Sequence, residues 1–138
     1  MSANRSIRVL LLTVLEFIVG GVVVLGGAAL VYFSTDATGM SLGIVHAILG
    51  LMAFSAGYLI LTGKAGARKL TLGADAAIIT FSLVSEIILS TTGSLPSGPL
   101  ADSIVGTAVA VLIAAMIVYQ LMSPGLRPLR ATQIQSAG

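Results

Sequence analysis

Residues 7–33 read IRVLLLTVLEFIVGGVVVLGGAALVYF, a stretch in which Arg8 and Glu16 are the only charged side chains. About 20 predominantly apolar residues are enough for a helix to cross the roughly 30 Å hydrocarbon core of a bilayer. The stretch is also longer than the apolar segment of a signal peptide, which has about 7–15 residues. We therefore expect an uncleaved first membrane helix here, although Arg5 and Arg8 give it a signal-like start.

The composition of the whole chain also indicates a membrane environment. Of its 138 residues, 57% are hydrophobic and 9% are charged, and the mean hydropathy is +1.08. Soluble domains average about 25% charged residues, and a chain this short cannot bury so much apolar surface in one water-soluble core. The composition therefore predicts an integral membrane protein in contact with the lipid bilayer.

Polar or Gly/Pro-rich breaks divide the chain into four apolar segments. We expect helices at about residues 7–33, 40–62, 70–90 and 102–122. Cap-forming residues at 34–39 precede the second helix, and Asp102 is a candidate N-cap for the fourth. The sequence thus predicts an all-α fold, a four-helix transmembrane bundle forming one membrane domain over residues 1–138, with a polar cytoplasmic tail at 123–138.

All the basic side chains would lie on one side of such a bundle. They precede the first helix, separate the second from the third, or follow the fourth, and the other two loops contain no lysine or arginine. Cytoplasmic loops are enriched in both residue types, so we expect both termini in the cytoplasm and a multi-pass protein of the cell membrane. This segregation explains the net charge of +2 without a basic patch, so no nucleic-acid partner is expected. The basic residues are Arg5, Arg8, Lys64, Arg68, Lys69, Arg127 and Arg130.

The residue inventory excludes several kinds of functional site. The chain has no cysteine and one histidine, His46, which rules out disulfides, thiolate metal sites and bis-histidine haem ligation within the chain. It contains no HExxH, P-loop, GxSxG or dinucleotide-binding motif. We accordingly expect a protein that is not an enzyme and that has no metal or cofactor site.

Small residues recur at four-residue spacing on the second and fourth helices. Such edges let helix backbones approach closely in a membrane, where no hydrophobic driving force acts between helices. They serve either packing within this chain or contact with another subunit, and the sequence leaves both open. The residues are Gly39, Gly43 and Ala47 on the second helix and Gly106, Ala110 and Ala114 on the fourth.

Four ionisable side chains are expected at membrane depth, where each costs about 2.5–3.5 kcal/mol on insertion scales and is a functional-site candidate by default. They are Glu16, His46, Asp75 and Glu86. Counting about 1.5 Å per helical residue from the charged ends, Glu16 matches Asp75 in depth. By the same count, His46 matches Glu86 in the other half of the membrane.

The third helix carries a polar stripe. Its members follow spacings of 4, 7, 4 and 4, which keep them on one helix face, and they are Thr71, Asp75, Ser82, Glu86 and Ser90. Such a face should look into the bundle, a water-filled cavity or a polar partner, and not into lipid. The candidate intramembrane polar site therefore comprises Glu16, His46, Asp75, Ser82 and Glu86.

Structural roles compete with functional ones at these positions. An ion pair of Asp75 with Arg68 or Lys69, near the membrane surface, is favoured over a proton-binding site. His46 is expected to be a hydrogen-bonded structural residue, and Glu86 either reaches headgroup water or belongs to a site. Glu16 is the hardest to explain structurally, because apolar residues flank it and it lies deeper.

One family resemblance concerns the first helix. Glu16, within the segment VLEFIVG at residues 14–20, is similar to the first-helix glutamate of the small multidrug resistance transporters. These are proton-coupled four-helix proteins of similar length, and the resemblance implies that Glu16 binds a drug or a proton. The chain departs from the family in having no tryptophan, hence no aromatic-rich binding face, and in the charges on its third helix.

A second resemblance runs along most of the chain. The segments LGIVHAILGL at residues 42–51, GYLILTGK at 57–64 and YQLMSPGLR at 119–127 resemble uncharacterised small four-helix membrane proteins of archaea and bacteria. In that family a GLLxGKxWA turn precedes the third helix, and the turn here lacks the tryptophan. The resemblance implies the fold and topology, and it implies no activity.

These observations leave two functional expectations. The favoured one is a non-catalytic accessory or structural subunit of a larger membrane complex, such as a respiratory or oxidase assembly, in contact with other membrane subunits or with copies of itself. The alternative is a small proton- or cation-coupled oligomeric transporter or channel that uses Glu16 and the polar stripe of the third helix. The surroundings of Glu16 in the folded protein bear directly on the choice.

Overall fold

The computed structural model describes residues 3–92 and 100–122, and all regular structure in them is helical. The helices are α1 (Ala3–Phe33), α2 (Ala37–Leu61), α3 (Ala67–Thr92) and α4 (Leu100–Met122). The predicted all-α, four-helix fold is therefore confirmed. Three helices, α1 to α3, are long and apolar enough to cross a membrane, and the described part of α4 contains a shorter apolar stretch at Gly106–Tyr119. The predicted polar tail at 123–138 lies outside the described residues.

All four helices begin earlier than predicted, because residues flanking the apolar stretches continue them. The differences are largest at α1, which begins at Ala3, and at α2 and α3, which begin at Ala37 and Ala67. The start of α3 thus includes three residues that were expected in the loop, two of them the long basic side chains Arg68 and Lys69, which are good helix formers. Asp102 lies within the first turn of α4, which starts at Leu100, so its prediction as the N-cap is wrong.

Both ends of α2 are capped by residues of the adjoining turns. Asp36 has extended backbone (φ −122°, ψ 159°), and its carboxylate accepts a hydrogen bond of 2.7 Å from Gly39 N, which confirms the predicted capping turn. At the other end Gly63 adopts φ +64°. The backbone N–H groups of Gly63 and Lys64 then close the last turn as a Schellman motif, which glycine favours in this left-handed conformation.

Asp36→Ala should lower the free energy of unfolding by about 1 kcal/mol, because it removes the acceptor for an otherwise unpaired helix N–H group. Asp36→Asn should leave stability near that of the wild type, since asparagine is an equally good cap. Denaturant titration in detergent micelles measures both variants. An equal loss in both would show that the negative charge of Asp36, and not its role as acceptor, stabilises this turn.

The four helices form a square bundle. α1 packs against α2 and α4, and α3 packs against the same two helices, so α1 and α3 face each other across the bundle axis. Neighbouring helices run in opposite directions, so one end of the bundle holds the starts of α1 and α3 and the ends of α2 and α4. At that end Arg68 Nη2 donates a hydrogen bond of 3.1 Å to Leu121 O, which joins α3 to α4.

Apolar side chains fill the axis of the bundle and also cover its outside. More than half of the surface of Leu25, Leu51, Ile87 and Leu112, one from each helix, is exposed. Soluble monomers rarely expose apolar surface on this scale, so the outside fits contact with lipid. The larger cluster of buried core residues comprises Leu12, Val19, Val23, Ala53, Ile78, Ala110, Ile117 and Leu121, and a smaller one comprises Leu30, Leu42 and Leu89.

The contact between α1 and α2 is the most extensive helix interface among the described residues, and it is built on glycines spaced by seven residues. A Cβ placed on Gly27 would lie 2.6 Å from both Gly43 O and Ala47 N, and one on Gly50 would lie 2.8 Å from Gly20 O. A seven-residue period keeps such close contacts in register along two helices. We call this contact the glycine seam.

The predicted packing residues occupy different places in this arrangement. Ala110 and Ala114 of α4 are buried, and a Cβ on Gly106 would contact α1, so these three face the inside of the bundle. Gly43 and Ala47 lie in the glycine seam, as above. Gly39 lies elsewhere, because a Cβ on it would clash with the turn before α2. Gly39 therefore belongs to the helix cap and not to a helix–helix contact.

Candidate functional site

Glu16 of α1 and Asp75 of α3 meet inside the bundle. Neither side chain has any exposed surface. Their carboxyl groups are close enough for direct electrostatic interaction and for a hydrogen bond through one shared proton. Since α1 and α3 are diagonally opposed, the pair bridges the bundle axis, and the two residues lie at the same level of the bundle. We call these two residues the carboxyl pair.

Much of the wall around the carboxyl pair is apolar. A Cβ on Gly57 of α2 would lie 3.1 Å from Glu16 Cβ, so this glycine leaves the space that the glutamate occupies. Val19 and Ile78, about one turn from the pair on α1 and α3, are fully buried. Among the described residues, none donates a hydrogen bond to any of the four carboxyl oxygens. The pair is thus enclosed without a compensating partner.

The basic residues nearest in sequence do not neutralise Asp75. Arg68 lies about two turns away on α3, but its guanidinium is bound to Leu121 O at the end of α4. Carbonyl groups at a helix C-terminus carry partial negative charge and favour a cation there. The predicted ion pair of Asp75 with Arg68 or Lys69 is therefore wrong for the described structure, in which the Asp75 oxygens have no bonding partner.

His46 occupies a second buried polar position, toward the other end of the bundle. Its Nδ1 donates to Leu42 O at 3.0 Å, and its ring packs edge-on against Phe81 with the centroids 5.0 Å apart. This confirms a hydrogen-bonded role for one ring nitrogen. The other, Nε2, is buried and has no hydrogen-bond partner among the described residues.

The structure does not bring His46 and Glu86 together, although their depths match. The contacts of the histidine ring are to other residues, and Glu86 is half-buried. Along the polar stripe, Thr71 and Ser82 are buried and Ser90 is exposed. The stripe therefore faces the bundle interior over its first three members and emerges at the surface of the bundle at its end.

Sequence reasoning missed two buried hydroxyl groups. Thr13 lies three residues before Glu16, and Ser85 lies three residues after Ser82, and both are almost fully buried. Each hydroxyl donates to its own helix, Thr13 Oγ1 to Val9 O at 2.9 Å and Ser85 Oγ to Ser82 O at 3.0 Å. The signal that could have found them is their spacing of three from residues already singled out, which places them on the same helix face.

The chemistry of the carboxyl pair follows from its burial without a hydrogen-bond donor or a cation among the described residues. Two ionised carboxylates in a low-dielectric interior repel each other, and each has lost its hydration. A proton shared between them, or a cation held between them, would remove most of this unfavourable free energy. The arrangement is therefore suited to taking up and releasing positive charge.

Comparisons with protein-family models, with curated proteins and with solved structures found no match to this chain. The two resemblances drawn from sequence motifs therefore remain untested. Among the described residues, the buried polar side chains are the features that bear on function, and the carboxyl pair is the most completely enclosed of them.

Proposed function

We propose that this protein is a small proton- or cation-coupled transporter or channel that works through Glu16 and Asp75. The observation that carries the proposal is the meeting of these two carboxyl groups at full burial, without a hydrogen-bond donor among the described residues. Ionisable side chains inside membrane bundles mark substrate, ion or proton pathways. Two unpaired acids destabilise a bundle, whereas a transporter needs groups that bind and release positive charge.

The proposal includes a four-span topology in the cell membrane, with both termini cytoplasmic. Support comes from the positions of the basic residues. Arg8, Lys64, Arg68 and Lys69 belong to the same end of the bundle, and Arg127 and Arg130 come after α4 in the sequence, outside the described residues. Cytoplasmic loops are enriched in lysine and arginine. In this orientation the carboxyl pair lies in the cytoplasmic half of the membrane, and α4 crosses the membrane with the other helices.

Proton flux in reconstituted vesicles tests the proposal. Vesicles contain NaCl and KCl on both sides together with valinomycin, and an enclosed pH-sensitive dye follows the decay of an imposed pH gradient. We expect faster decay with the wild-type protein than in protein-free vesicles. Glu16→Gln and Asp75→Asn should each return the decay to the protein-free rate, because each removes a carboxyl group of the pair.

Asp36→Asn is the matched control for these variants. It also neutralises one carboxylate, but it leaves the carboxyl pair intact and retains the helix cap. Its flux should equal that of the wild type. Equal flux in wild-type and Glu16→Gln vesicles would contradict the proposed function, provided that circular dichroism shows the same helix content in both proteins.

A second candidate function is favoured by one observation on the outside of α3. Gly73 is exposed, and a Cβ on it would meet no heavy atom within 4 Å. Ala76 is exposed on the same side, so a small-residue edge is open to a helix of another subunit or of a second copy. This feature suits a non-catalytic accessory subunit of a larger complex, such as a respiratory or oxidase assembly.

Native separation after extraction in mild detergent distinguishes the two candidates. Co-migration with other membrane subunits supports the accessory role. The chain alone, or an oligomer of this chain, supports the transporter, for which self-association is part of the proposal because four closely packed helices enclose no wide pathway. Neither candidate gives the chain a catalytic role or a cofactor.

A further inference from the structure

We infer that Thr13, Glu16, Thr71 and Asp75 form a binding site for one dehydrated alkali-metal cation together with one proton. The inference rests on the proposed transport function and deepens it, since it names the class of cation that would exchange with a proton at the carboxyl pair.

The threonines occupy equivalent positions beside the two acids. Thr13 precedes Glu16 by three residues on α1, and Thr71 precedes Asp75 by four on α3, and residues at these spacings are neighbours on a helix face. Both helices start at the same end of the bundle, so both threonines lie about one turn from the pair on the same side. Thr13 is 2% exposed and Thr71 is 0% exposed. Each of the two opposed helices thus carries a buried oxygen-bearing side chain about one helical turn from the carboxyl pair.

The oxygens of this group are available only as acceptors. Thr13 Oγ1 donates to Val9 O and Thr71 Oγ1 donates to Ala67 O, both at 2.9 Å. Each hydroxyl has therefore used its hydrogen and can only accept further contacts through its lone pairs. The carboxyl oxygens of the pair receive no hydrogen bond from the described residues. One shared proton would satisfy a single contact between the two acids and leave the other oxygens without a partner. A metal cation can contact several of these oxygens at once.

The oxygen ligands of the site and its burial determine which kind of cation can bind. Oxygen ligands favour hard cations over transition metals, and the described residues contain no group of three or more His, Cys, Asp or Glu that could hold a metal ion. Mg²⁺ usually keeps several waters, which does not suit a site that is closed to solvent. A monovalent ion also has the smaller desolvation penalty, because that penalty rises steeply with charge.

Charge balance then fixes the second occupant. Two carboxylates are neutralised by two protons, or by one alkali-metal cation and one proton. Both states leave the bundle interior uncharged, which the low dielectric favours. Exchange between them would move one cation against one proton without transferring net charge.

Thermal unfolding of the purified full chain in detergent tests the inference. The protein is titrated with NaCl, KCl, CaCl₂ or choline chloride at constant ionic strength. We expect NaCl or KCl, and not choline chloride, to raise the unfolding temperature, because a ligand that binds the folded state stabilises it. Thr13→Val and Thr71→Val keep the shape of the side chain and remove the oxygen. Each should raise the midpoint concentration of the stabilising salt at least about tenfold.

Thr80→Val is the matched control, since Thr80 is an exposed threonine on the same helix as Thr71. The inference is overturned by equal unfolding temperatures in all salts, by stabilisation with CaCl₂ alone, or by unchanged midpoints in both valine variants. Glu16-dependent proton flux would survive any of these results, and the proposed function would then stand with the proton as its only ion. Should a valine variant fail to fold, Thr71→Ser, which keeps the hydroxyl, should bind the cation and Glu16→Gln should not.

Discussion

Gly27→Ala is expected to lower the free energy of unfolding by about 2–3 kcal/mol. The added Cβ would lie 2.6 Å from Gly43 O and from Ala47 N. Both are backbone atoms, so no change of side-chain rotamer can relieve the overlap, and α1 and α2 have to move apart along the glycine seam. Separation weakens the dispersion contacts that hold membrane helices together when no hydrophobic force acts between them.

Gly26→Ala is the matched control, because Gly26 is the preceding residue and a Cβ on it would meet no heavy atom within 4 Å. The two substitutions have the same effect on intrinsic helix propensity, which favours alanine by about 1 kcal/mol in a helix interior. The difference between them therefore isolates the contact with α2. Denaturant titration in detergent micelles measures both variants, and equal stabilities would mean that the two helices do not pack through Gly27.

The glycine seam also shows where prediction of the fold from sequence ended. Segment length predicted four helices correctly, and three of them are long and apolar enough to cross a bilayer, which requires about 20 apolar residues whatever the tertiary structure. The predicted packing period was four residues, running through Gly39, Gly43 and Ala47. The observed period is seven, through Gly43 and Gly50. A helix rich in glycine has small residues at both four-residue and seven-residue spacing. A single sequence does not show which face of the helix packs against which neighbouring helix.

The candidate site was predictable in depth but not in direction around the bundle. Counting residues from the charged ends matched Glu16 with Asp75 and His46 with Glu86, and the structure joins the first pair alone. Depth follows from helical rise, whereas contact also requires that two helix faces point at each other. That second condition depends on how all four helices are arranged, which sequence periodicity does not give.

The failure of the expected Asp75 ion pair has a related cause. Arg68 is close to Asp75 along one helix, but the carbonyl end of α4 lies closer to its guanidinium in the fold. A partner that comes from another helix cannot be counted along the chain. The same holds for the burial of Thr13, which appears in the sequence as one polar residue in an apolar run and is buried in the bundle.

Replacing both acids by apolar side chains of similar size, Glu16→Met with Asp75→Leu, should stabilise the bundle by about 1–4 kcal/mol and abolish proton flux. The reason is that the carboxyl pair is buried without a donor or a cation among the described residues, so its removal relieves desolvation and mutual repulsion. Unfolding is measured in choline chloride, so that no alkali-metal cation stabilises the wild type. Higher stability with lost flux would show that the pair is kept for function.

The two single variants then decide how the acids are paired. If Asp75 had a cationic partner, Asp75→Leu alone would destabilise the protein by about 3–5 kcal/mol, because a buried charge would be left without compensation. For two acids that repel each other, each single variant should stabilise, since the remaining carboxyl loses its like-charged neighbour. The double variant should then stabilise by less than the sum of the two, because either substitution alone already removes the repulsion. Destabilisation in both single variants would indicate that the two acids do not repel each other and that each belongs to an ion pair. The proposed transport site would then lose its basis.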